Sequence, residues 1–153
     1  MSYEQWLANG WLRPSEPSTM IVANLLSVVD RDLADAACRQ IHLDNRYVHA
    51  YNAGRSLCAL ALAAEGYAVP KGSWQHQRQL ESLELTLGEG QKQLSSQLLK
   101  TKKVRHDIEY EAADLVEARD VEDLLLKVQA LRADVVRWLK QQHPELMPPG
   151  VKP

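Results

Sequence analysis

Apolar residues recur along this chain at steps of three and four, the spacing of one helix face, and no useful stretch alternates with period two. Gly and Pro divide the pattern at Pro14 and Pro17, at Gly66, Pro70 and Gly72, at Gly88 and Gly90, and finally at Pro144, Pro148, Pro149 and Gly150. A short amphipathic piece is predicted from Ser2 to Ala8. The first long helix is predicted from about Ser18, a good N-cap, to Arg39, with Ile21, Val22, Leu25, Val29, Leu33 and Ala36 on its inner stripe. The second starts at the cap Asp44 and stops near Gly66. Its stripe is Val48, Tyr51, Arg55, Cys58 and Leu62, flanked by Ala50, Gly54, Leu57 and Ala61, a row narrow enough for a close neighbour. A third helix is predicted from Ser73 to Leu87, closed by Gly88, and a fourth from Gln91 towards Lys103 with Leu94, Leu98 and Leu99 inward. The last runs from the cap Asp120 to Gln142 on Leu124, Val128, Leu131, Val135 and Leu139. These segments predict an all-α fold, an antiparallel four- to five-helix bundle over residues 18–143, preceded by a short helix and linker (1–17) and followed by a flexible tail (144–153).

Composition narrows the picture. The chain has 153 residues, 45% of them hydrophobic, and no Phe, so Leu, Val and Ala must fill one ordinary core. No apolar run is long enough to span a bilayer, and the opening MSYEQWLANGW lacks the basic and apolar regions of a signal peptide; a cytoplasmic protein is expected. A net charge of -2 argues against a strongly basic nucleic-acid binder. Cys38 and Cys58 form no CxxC pair and are expected as reduced, buried thiols. His42, His49, His76 and His143 are scattered with no HExxH spacing, so no metal site is expected. His76 reads as a capping or packing residue. Phosphate-loop, GxGxxG and GxSxG patterns are missing as well, and neither a cofactor nor serine-hydrolase chemistry is expected.

The charge is nevertheless unevenly spread. From Gln91 to Arg105 the charged residues are Lys92, Lys100, Lys102, Lys103 and Arg105; from His106 to Asp123 eight acids face Arg119 alone. One reading is helix-end electrostatics, cations closing one helix and anions opening the next. The other is a basic rim of Lys100, Lys102, Lys103 and Arg105 that meets phosphate, beside an acidic surface that meets a protein. Tyr110 is the one aromatic there to stack on a base.

At this inversion the chain reads Arg105-His106-Asp107-Ile108-Glu109-Tyr110, and upstream it reads Ala50-Tyr51-Asn52-Ala53-Gly54-Arg55, ending in Glu65-Gly66-Tyr67. Together these segments resemble the HEPN superfamily (higher eukaryotes and prokaryotes nucleotide-binding). The resemblance implies a dimeric bundle of four or five helices, RNA as partner, and a place in a toxin–antitoxin, defence or stress system. The family's motif is Arg, four to six residues, then His. Arg105 matches the arginine and His106 the polar position after it, whereas Tyr110, Glu111 and Ala112 stand where the histidine belongs. The resemblance therefore implies an RNA-associated or partner-binding protein with a degenerate ribonuclease motif. Two alternatives stand beside it. One is an active metal-independent endoribonuclease using Arg105 with His106 or Tyr110, since RNA cleavage without metal needs a base near pH 7. The other is an interaction module that forms a homodimer or docks a nucleotidyltransferase, for which Tyr110 is a candidate modification site. Without any ligand, Arg105 would join Asp107, Arg55 and Tyr51 in a buried polar network.

Overall fold

The computed structural model describes residues 1–153. Seven helices follow in order: α1 (Tyr3–Ala8), α2 (Thr19–Ala37), α3 (Leu43–Glu65), α4 (Gln75–Glu81), α5 (Leu83–Leu87), α6 (Lys92–Tyr110) and α7 (Ala118–Gln142), and none is long and apolar enough to cross a membrane. The expected helical bundle is present. Its departure from an all-α pattern is a minimal antiparallel ladder, β1 (Arg13–Pro14) against β2 (Tyr67–Ala68), which ties the segment after α1 to the end of α3.

The helix ends follow local chemistry. Ser2 and Gln5 form a capping box on α1, and Ser18 Oγ accepts the Ile21 amide at the start of α2. Gly66 closes α3 in the left-handed region (φ 94°), where a side chain is strained. α7 opens at Glu117, one turn before the expected Asp120, because Glu117 and Asp120 cap each other's amides. The third predicted helix is two helices, α4 and α5, meeting at Ser82. There Ser82 Oγ donates to the Gln79 carbonyl at 2.6 Å, and Thr86 Oγ1 donates back to Ser82 and Leu83. Such bonds compete with the helical ladder and bend it.

α6 differs most from expectation. It runs on to Tyr110, so the charge inversion lies inside one helix rather than at a junction of two. Its last turn carries Asp107 and Glu109 and no cation, the order a helix macrodipole disfavours by about 0.3–1 kcal/mol per charge. The helix-end explanation therefore holds for the acids that open α7 and fails for the end of α6.

α3 is the central element. It packs against α2, α7, α6 and the α4–α5 pair, and Ala50, Tyr51, Ala53, Leu57, Cys58 and Ala61 are fully enclosed. The predicted row of small residues is the reason. A Cβ on Gly54 would stand 3.2 Å from Leu98 Cδ2 on α6 and 3.4 Å from Val128 Cγ2 on α7. The core continues through Val22, Val29 and Ala36 of α2 and Val121, Val128, Leu131, Val135 and Leu139 of α7. Ile21 instead lies on the surface, and Leu26 takes the inner place.

Both ends of the chain are packed. Trp6 and Leu12 form a small second core with Leu62 and Val69. After α7, a single 3₁₀ turn (Pro144–Leu146) returns the chain to the bundle. Leu146 is buried there, Val151 packs on the core, and Arg132 Nη1 donates to the Lys152 carbonyl at 3.0 Å. Cys58 is buried as expected, whereas Cys38, at the C-cap of α2, is only partly covered.

The Gly54 contact generates a graded prediction. Gly54→Ala should change stability by less than about 1 kcal/mol, since its methyl meets a movable Leu98 methyl while helix propensity improves. Gly54→Val should cost about 1–3 kcal/mol by overpacking, read as a lower urea midpoint at unchanged slope.

Candidate nucleic-acid interface

The polar side of α3 faces the last turns of α6 and the first of α4. Tyr51 is wholly buried, and its hydroxyl has no hydrogen-bond partner. Burial pushes its pKa up to about 12, against the opposing pull of Arg55 and Arg105. The Arg105 guanidinium carbon stands 5.9 Å from the Tyr51 ring centre, on the outer side of the ring's cover. Arg105 Nη2 pairs with Glu109 Oε2 at 3.1 Å, one turn along α6, so its acid is Glu109 and not the expected Asp107. One turn along α3 from Tyr51, half-buried Arg55 donates from Nη1 to Gln79 Oε1 of α4 at 3.0 Å. The Nε groups of both arginines are buried and without partners. Burial draws the Arg55 pKa down, Tyr51 opposes this, and the Arg105 charge adds to the fall.

His76 lies one turn before Gln79 on α4 and therefore on the face turned to Arg55. Burial, followed by the charges of Arg55, Arg105 and Lys102, pushes its pKa down to about 4. It is a neutral imidazole set among three cations. Its place was legible only once Gln79 was known to point at Arg55; the spacing His76-x-x-Gln79 is the signal.

Outside this cluster opens a groove of about 500 Å³ lined by Gln77, Leu99, Lys102, Lys103, Arg105 and His106, with no carboxylate among them. Leu99, Lys102, Lys103 and His106 follow the i, i+3, i+4, i+7 rule of one helix face. Arg105 joins from the neighbouring row, so Arg105 and His106 border one groove although adjacent residues point about 100° apart. Lys100 is separated from them. With Gln97, Thr101 and Val104 it lines a different groove, on the α7 side, that also holds Asp120 and Asp123. Tyr110 is mostly exposed (69%) and rests its ring 5.0 Å from that of His106. The structure therefore gathers Tyr51, Arg55, Arg105, Lys102, Lys103 and His106, adds His76 and Gln79, and leaves Lys100, Asp107 and Tyr110 outside.

Two further side-chain groups are close enough to share a cation, Asp32 with Asp35 and His49, and His42 with Asp44 and Asp114. His49 Nδ1 lies within hydrogen-bond distance of Asp32 Oδ1 at 3.1 Å, and His42 Nε2 lies 3.1 Å from Asp114 Oδ1, while one buried oxygen of Asp44 has no partner. No protein-family model matches the chain, and no curated protein or solved structure is significantly similar to it.

The His76 environment predicts a titration. Its ring protons, followed by NMR, should show a midpoint near 4, and Arg105→Gln should move the midpoint upward. Because the folded value lies below the ordinary imidazole value of about 6.5, the unfolded chain takes up the proton first. This group's contribution to stability is complete above about 6.5 and is lost as pH falls towards about 4.

Proposed function

We propose that this protein is an RNA-associated helical bundle that holds a single-stranded phosphate backbone in the groove between α4 and α6, in keeping with its HEPN-like segments. The carrying observation is the sign of that groove. In a chain of net charge -2, three cations and a histidine line it without one carboxylate. Arginine offers permanent charge and a forked donor for phosphate, and the buried, unpartnered Nε of Arg105 leaves donor capacity unused by the protein. Behind it, Arg55 adds a second positive charge whose field is little diluted by water. Glu109 balances one of these charges and is itself only partly covered, so an arriving phosphate competes with a modest ion pair.

The motif's missing histidine argues for holding RNA rather than cutting it. Tyr110 stands in the sequence where the base is needed, yet its ring lies outside the lining of the groove. One observation favours the second reading, a metal-independent endoribonuclease: His106, an imidazole, lines the groove beside Arg105.

A labelled single-stranded RNA in excess EDTA tests both. Binding through Lys102, Lys103 and Arg105 should weaken with added salt at a log–log slope of about -2, the value for three neutralised phosphates on a single strand. Arg105→Ala should reduce affinity by about tenfold or more, the loss of one charge-assisted contact, and the RNA should remain whole. Salt-independent affinity would refute backbone binding. Cleavage by the wild type that Arg105→Ala abolishes would replace the binding reading by the ribonuclease one.

A further inference from the structure

The other side of α4 carries a feature of different chemistry. Trp74 immediately precedes the helix and is largely exposed (61%). Arg78, one turn on, lays its guanidinium 3.6 Å from the ring centre of Trp11 and 5.6 Å from that of Trp74. Trp11 is fixed from behind. Its ring meets that of buried Trp6 edge-on at 5.3 Å, and its amide donates to the Trp6 carbonyl at 2.9 Å. Arg78 is held by Glu81 at 3.1 Å, and its Nε is buried with no partner. Between Trp11, the 69–75 segment and Arg78 lies a groove of about 480 Å³, bordered by Lys71 and Gln75 and by no acid.

We infer that this groove is a nucleobase-binding subsite for the same single strand, with the base stacked on Trp74 and the Arg78 plane and its phosphate near Lys71. The inference deepens the RNA reading and rests on it. Three observations select this occupant. A planar π-face exposed beside a guanidinium plane suits a flat aromatic ring, since both surfaces stack on a base without regard to sequence. With Arg78 balanced by Glu81, Lys71 makes the rim positive, which disfavours a cationic ligand and favours one joined to phosphate. The subsite also lies close to the cationic groove: Gln75 and Arg78 face one, and Gln77 of the same short helix faces the other, so about one helix diameter, roughly 10 Å, separates them and one strand crossing α4 reaches both. The Tyr110 ring, the one aromatic that the motif region offers, stands outside both.

Two measurements on the full chain test the subsite. In the first, labelled oligoadenylate and an abasic ribose-phosphate strand of equal length are compared at one salt concentration. Trp74→Ala should weaken oligoadenylate by about 5- to 100-fold, the loss of one base–aromatic stack, and leave the abasic strand unchanged; Trp74→Phe should retain most of the affinity. In the second, AMP is added to ¹⁵N-labelled protein, and the indole N–H signals of Trp11 and Trp74 should shift while those of Trp6 and Trp138 stay. Equal binding of both strands with Trp74→Ala indistinguishable from wild type overturns the subsite and leaves backbone binding standing. AMP shifts without affinity for either strand uphold the subsite and overturn the RNA reading. Silence in both measurements overturns the two together and leaves the tryptophans as a face for a protein partner.

Discussion

The rest of the molecule depends on how closely other helices approach α3. Leu98 and Val128 reach van der Waals contact with the place a Cβ on Gly54 would take, and neighbouring alanines do the same work along the helix. A helix enclosed so widely has little surface on which to solvate polar groups. Its two large polar residues in the middle turns, Tyr51 and Arg55, are therefore drawn to whatever the surrounding helices provide. Gln79 of α4 supplies one hydrogen bond to Arg55, and Arg105 of α6 covers Tyr51. Close packing in the core thus sets the distance between two guanidinium groups near the surface.

That distance has an electrostatic consequence. Two arginines and Lys102 share a region in which Glu109 pairs with Arg105 and Asp32 acts on Arg55 from further off; burial and then the combined charge of the three cations hold the His76 pKa low. A structural ion-pair network would be expected to balance its charges and satisfy its donors, because an unpaired buried donor costs about 1–3 kcal/mol. Here Arg55 and Arg105 each keep an Nε without a partner. An excess of cations with unused donors is the arrangement a bound anion completes. It explains why the cluster sits at the rim of a groove instead of inside the bundle.

Much of this was legible in the sequence. Stripes of aliphatic residues marked every long helix, and the Ala50–Ala61 row foretold the tight packing of α3. Reading failed where side chains compete with the backbone or where charge misleads. Ser82 looked like an ordinary helix residue, yet its hydroxyl bends the α4–α5 segment. The acids after Arg105 looked like the opening of a new helix, yet the Arg105–Glu109 pair at i, i+4 helps carry α6 through them. Stopping α6 early also hid the face rule that sends Lys102, Lys103 and His106 to one groove and Lys100 to the other. Residues from distant segments, such as Trp11 beside Arg78, give no local signal at all.

The division of α6 also bears on how a protein of net negative charge can attract a polyanion. Its lysines do not act as an undirected cloud, because acids at 120 and 123 face Lys100 across the second groove and cancel much of its field. On the α4 side no carboxylate lines the groove, and Glu109 pairs with Arg105 from outside it. Within about 8–10 Å, the screening length of ordinary salt, a ligand meets the local sign rather than the net charge. The α7-side groove, where Lys100 and Lys127 meet Asp120 and Asp123, carries no such excess of positive charge. On the proposed reading, this difference between the two grooves directs the approach of the strand as well as holding it.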